Sequence, residues 1–112
     1  IEGTDIIGSI IRNGNRFGVN VQTLAAGLVL ADDAPHVQFL DPGGSARNVD
    51  LPPNPTKGDF FVIVNTADAA EIITVRTNAG AGLTPAITPT QSETAVLFYS
   101  GTAWRGFVAL GA

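Results

Sequence analysis

Apolar residues in this chain fall into short runs: Asp5–Ile11, Phe17–Val21, Leu28–Ala31, Val37–Leu40, Asn48–Leu51, Phe60–Asn65, Ile72–Thr77, Ala95–Tyr99 and Trp104–Leu110. Between them stand Asn13-Gly14-Asn15, Asp32-Asp33-Ala34-Pro35, Asp41-Pro42-Gly43-Gly44, Pro52-Pro53-Asn54-Pro55 and Ser100-Gly101-Thr102. Proline fixes φ, glycine admits positive φ, and Asn or Asp bonds to its own backbone, so each of these segments turns the chain. Turn signals about 8–12 residues apart predict an all-β protein. Thr23–Ala31 is the one helical candidate, and Gly27 with Val29 argues against it. No internal repeat is evident.

The predicted strands are of two kinds. Ile72–Thr77 ends in alternation, with Ile73 and Val75 on one face and Thr74 and Arg76 on the other. That is the pattern of a strand with one wet face. Phe60–Val64 and Ala95–Tyr99 carry no polar position before Tyr99, so both of their faces are apolar. The outer face of a strand in a two-layer domain normally meets water. These two strands therefore predict a cover, supplied by the N-terminal segment, a neighbouring protomer or a larger partner. Each side chain so buried is worth about 1.5–3 kcal/mol before ordering costs. The expected architecture is an antiparallel β-sandwich, jelly-roll-like, over residues 23–112. Residues 1–22 are expected to form an extended N-terminal arm or the first strands.

Composition narrows the function. The 112 residues hold 6 Lys+Arg against 10 Asp+Glu, a net charge of −4, and only 14% are charged. Scattered basic residues on an acidic chain do not make the positive stripe that binds nucleic acid. No apolar run approaches the ~20 residues of a membrane span, and the N-terminus does not read as a signal peptide. There is no cysteine, which removes disulfides and thiolate chemistry and suits a reducing cytosol.

The candidate chemistry is equally sparse. The one histidine, His36, follows Pro35 at a strand start and has no nucleophile motif to serve. Asp32, Asp33, Asp41, Asp59 and Asp68 sit in turns without the spacing of a calcium loop. Gly43-Gly44 and Gly80-Ala81-Gly82 lack the Lys-Ser/Thr of a phosphate loop. Asn54-Pro55-Thr56 has proline at the position that blocks glycosylation. The aromatic residues read mainly as core, with Trp104 either an exposed contact or, as the preferred reading, a plug at the end of the sandwich. No catalytic residue, metal ligand or cofactor site is expected, and the chain reads as a binding or structural protein rather than an enzyme.

Three segments carry a family resemblance: Phe39-Leu40-Asp41-Pro42-Gly43-Gly44, then Asn48-Val49-Asp50-Leu51-Pro52, then Lys57-Gly58-Asp59-Phe60-Phe61-Val62-Ile63-Val64-Asn65-Thr66-Ala67-Asp68. With Ile72-Ile73-Thr74-Val75 and Ser100-Gly101-Thr102-Ala103-Trp104, the stretch from about Val37 to Phe107 resembles a β-rich module of tailed-bacteriophage virion proteins. Such modules occur in capsid decoration (cement) proteins and within head and tail fibres. The resemblance implies a decoration protein on the outer capsid surface, made in the host bacterial cytoplasm and bridging capsid subunits. Its partners would be the major capsid protein and itself, with a homotrimer preferred over a dimer. The expected partner-binding residues are Asp5, Ile6, Ile7, Ile10, Ile11, Phe17, Phe61, Ile63 and Trp104. The segment Asp5–Ile11 has high β propensity and either adds to a partner's sheet edge or forms the domain's own first strand. The alternative is a fibre domain binding a host glycan through Tyr99 and Trp104.

Overall fold

The computed structural model describes residues 18–110. Asp5, Ile6, Ile7, Ile10, Ile11 and Phe17 lie outside the described residues. Within them the chain forms nine strands and no helix: β1 (Val19–Thr23), β2 (Leu28–Val29), β3 (Val37–Asp41), β4 (Arg47–Asp50), β5 (Phe60–Asn65), β6 (Ile73–Arg76), β7 (Gly82–Ile87), β8 (Thr94–Tyr99) and β9 (Trp104–Ala109). They build a five-stranded sheet in the order β9-β8-β5-β3-β1 and a four-stranded sheet in the order β2-β4-β6-β7.

Successive strands alternate between the sheets from β1 to β6, so the chain winds through three coils. A strand that crosses to the opposite sheet and returns runs in its original direction, and the pairings are accordingly parallel. β1 pairs with β3, β3 with β5, β2 with β4 and β4 with β6 in this sense. Only β6-β7, β5-β8 and β8-β9 are antiparallel. The all-β expectation holds, but the sheets are mixed where antiparallel ones were expected. The turn segments bend the chain from one sheet across to the other instead of reversing it within a sheet.

Hydrogen bonds at the corners carry the stacking beyond the strands. The Leu24 N–H donates to the Asp41 carbonyl at 2.7 Å, and the Thr66 N–H to the Leu40 carbonyl at 2.9 Å. On the other sheet the Leu51 N–H donates to the Arg76 carbonyl at 2.8 Å. Gly43 turns one corner with φ of +79°, and a Cβ there would overlap the Leu24 carbonyl oxygen of the preceding coil. Its N–H is held by Asp41 Oδ1 at 2.9 Å. The coils form a repeat that the sequence does not display, because the connections differ in length: Val19 stacks on Val37, and Val37 on Val62.

One core lies between the sheets. Leu40, Phe61, Ile63, Ala95 and Leu97 enter it from the five-stranded sheet, and Val49, Ile73, Val75 and Ile87 from the four-stranded one. Trp104 closes one end, its ring 6.0 Å from Phe61 and 5.2 Å from Tyr99. Toward β1 the interior turns polar. Asn20 Nδ2 donates to Gln38 Oε1 at 2.8 Å, and Gln38 Nε2 donates to the Pro35 carbonyl at 2.8 Å.

Candidate functional site

The two sheets present opposite chemistries to the outside. The four-stranded sheet turns out Asn48, Thr74, one exposed valine, Val29, and the Asp50–Arg76 pair, in which Arg76 Nε donates to Asp50 Oδ1 at 2.7 Å and Nη2 to Oδ2 at 3.1 Å. That is an ordinary wet face. On the five-stranded sheet, register brings Val19, Val37, Val62, Val96 and Phe107 side by side across all five strands. The next row is Val21, Phe39, Val64, Thr94 and Ala109, and a shorter one joins Phe60 and Phe98 to Arg105. Asp41 and Arg105 are the charged residues that this register assigns to the face, both near its margin.

Phe98 is 51% exposed, Phe107 55% and Val21 76%. The central residues are half-buried by packing on one another. At one margin the His36 ring stacks on Phe60 with centroids 4.4 Å apart and planes within 10°. β1, an edge strand among the described residues, shows the same preference inverted: its inward Asn20 is polar while its outward Val19 and Val21 are apolar. An edge strand with water outside would normally carry charge there. A contiguous apolar patch of this kind on a small domain marks an interaction surface.

No family model matches the chain, and no curated protein matches it. Among solved structures, a chain in a structure of a chaperone-substrate complex is similar, with a TM-score of 0.52 and 18% identity. The likeness carries the fold alone. It covers 80% of this chain and 15% of that one, so this chain spans a small part of the length of its structural neighbour.

Of the residues expected to bind partners, the structure places Phe61, Ile63 and Trp104 inside, at 2%, 0% and 7% exposure. This corrects their assignment as contacts on this chain. Alternation along β5 sends Phe61 and Ile63 into the core and Phe60, Val62 and Val64 outward. The surface residues that the sequence reading missed are Val19, Val21, Phe98 and Phe107. The signal for Phe98 and Phe107 was present in their strands, yet which face of each strand looks outward depends on the neighbouring strands.

Two further groupings stand apart from the apolar face. Asp41, Asp68 and Glu71 bring carboxylate oxygens within 4.8 Å of one another. Asp41 already serves the turn at Gly43, and Glu71 Oε1 is buried without a hydrogen-bond partner. A cleft of about 650 Å³ opens where β7 and β9 face each other, with Tyr99, Trp104 and Arg105 in its wall.

Proposed function

We propose that this chain is a virion structural protein of a tailed bacteriophage, a capsid decoration protein that binds the outer head surface and bridges capsid subunits. The observation that supports this reading is the apolar outer face of the five-stranded sheet. A protein that reinforces a shell needs no chemistry, only surface that is more stable covered than wet. Burying a few of these Val and Phe side chains contributes about 1.5–3 kcal/mol each before ordering costs. In this reading the face packs against neighbouring copies in a homotrimer and against the major capsid protein. The segment containing Ile6, Ile7, Ile10 and Ile11, outside the described residues, ties the protein to the shell. Neither nucleic acid nor membrane is a partner in this reading.

Purified protein mixed with undecorated heads is expected to co-sediment with them. Absence of co-sedimentation at saturating protein sinks the reading. The double variant F98K/F107K tests the surface itself. Both residues are exposed, so its urea midpoint is expected to stay close to that of the unaltered protein. Head binding and self-association are expected to fall by about a hundredfold or more, since two desolvated charges replace two apolar contacts. Retention of both properties at full strength would show that the shell contacts lie elsewhere.

A further inference from the structure

The two ends of the coil stack are built differently. One is finished by the antiparallel strands β7, β8 and β9. At the other, the outermost strands among the described residues are β1 on one sheet and β2 on the other. β2 has β4 as its neighbour there, in parallel, with Leu28 beside Val49 and Val29 beside Asp50. Leu28 packs against the core from this last position of its sheet. Val29 is 59% exposed, in a row completed by Asp50 and Arg76. Edges that face water are usually blunted by charge, proline or a bulge, and Leu28-Val29 carries none of these.

We propose that the outer edge of β2 is a docking site for Ile10-Ile11 of the same chain, which lie outside the described residues, added as a parallel strand. From β1 to β6 each strand is followed by one in the opposite sheet, so the segment ahead of β1 belongs beside β2. β2 is joined to β3 through residues 30–36. Ile11 stands the same distance ahead of β1, across residues 12–18, with Asn13-Gly14-Asn15 to turn the chain. The two connections are already in step where they meet the five-stranded sheet. The Gly18 carbonyl accepts from the Val37 N–H at 3.3 Å, and Gly18 lies against Pro35. Val19 beside Val37 makes this coil eighteen residues long, and eighteen residues ahead of Leu28 and Val29 stand Ile10 and Ile11. Ile10 then covers Leu28 over the end of the core, and Ile11 lies beside Val29 on the outer face, two apolar cross-strand pairs. A strand from a second molecule could use the same edge, but the tethered segment meets it at a far higher effective concentration. Ile6 and Ile7, ahead of the docked pair, remain for the shell. The docking stands on an edge of the four-stranded sheet and not on the apolar face, so it holds whether or not the protein binds heads.

The chain has no cysteine, so an engineered pair forms only the disulfide intended. Three full-length double variants are oxidised mildly at low protein concentration: I11C/V29C at the proposed register, I7C/V29C four residues out of register, and I11C/V21C on the opposite sheet. Val29 and Val21 are exposed, so their replacement leaves the core intact. The pair I11C/V29C is expected to close within one chain at least about tenfold faster than either of the others, because a disulfide needs its Cα atoms close together. Closure at equal rates overturns the proposal. So does a disulfide formed mainly between two chains, which would give the edge to a second copy. Amide hydrogen exchange on I10K/I11K provides a reading that needs no oxidation. Exchange across Leu28–Leu30 is expected to rise at least about tenfold, with β8 unchanged, since an edge that loses its cover opens locally. Exchange at Leu28–Leu30 that matches the unaltered protein overturns the proposal as well.

Discussion

Replacing Asn65 with leucine is expected to lower stability by about 3–5 kcal/mol, a large share of what a domain of this size possesses. Asn65 is fully buried at the end of β5. Its Nδ2 donates to the Glu71 carbonyl at 2.8 Å and to the Pro89 carbonyl at 3.1 Å, while its Oδ1 accepts from the Ala67 N–H at 2.9 Å. One side chain thus satisfies three backbone groups in two connections, the one from β5 to β6 and the one from β7 to β8. Leucine fills a similar volume and leaves the Ala67 N–H and the Glu71 carbonyl without their partner, while the Pro89 carbonyl keeps only the Ile73 N–H at 3.0 Å. Each orphaned group costs about 1–3 kcal/mol, and the expected loss falls within the sum for the two. Urea unfolding should show the midpoint falling with little change in slope. The aspartate variant separates hydrogen bonding from shape. Its carboxylate would face two carbonyl oxygens in a dry site, so its folded-state pKa is raised above the unfolded value. Its stability relative to the unaltered protein should therefore recover as pH falls, when the carboxyl group regains a donor. A leucine variant within about 1 kcal/mol of the unaltered protein would show that these connections do not depend on Asn65.

The second large effect is expected at Gly106, in the middle of β9. Its φ is not among the positive values, so the constraint is space and not backbone conformation. A Cβ here would overlap the Val96 carbonyl oxygen of β8 and come 3.1 Å from the Leu97 Cα. Both are backbone atoms inside a sheet and cannot swing aside as a side-chain tip would. Alanine must therefore push β9 off β8, straining the ladder from Trp104↔Tyr99 to Ala109↔Thr94. The expected loss is about 3 kcal/mol or more, at or beyond the upper range for overpacking. Thermal unfolding by circular dichroism measures it. An alanine variant that melts with the unaltered protein would mean that β9 sits further from β8 than the structure places it. The consequence reaches the candidate surfaces, because β9 carries Phe107 on the apolar face and Arg105 in the cleft.

How far these surfaces were legible in the sequence differs from residue to residue. The excess of apolar positions in Phe60–Val64 and Ala95–Tyr99 was visible without coordinates, and it announced that one small globule would leave apolar side chains outside. The identity of those side chains was not visible. In a strand apolar on both faces, alternation names two sets and leaves open which of them points inward. That is why Phe61 and Ile63 were expected at a partner's surface and lie in the core. Val21 was hidden for a related reason: its strand is half polar, and the natural reading sends valine in and asparagine out, whereas β1 does the reverse. Strand β7 escaped altogether, since Gly82 and Pro85 read as breakers. With it went one wall of the cleft.

Local physics along the chain was enough to establish the class. Short apolar runs between Gly, Pro, Asn and Asp turns can only be strands, and the absence of a helical period over any long stretch excludes the other classes. Direction and neighbourhood were decided by the tertiary structure. Whether a turn reverses the chain within a sheet or carries it across to the opposite one depends on contacts far apart in sequence, such as the Leu24 N–H meeting the Asp41 carbonyl. Residue preferences at the turn itself are nearly the same in the two cases. The coil winding, the parallel pairing and the largely apolar outer face follow from those distant contacts, because register between strands is a property of the packed molecule and not of any one segment.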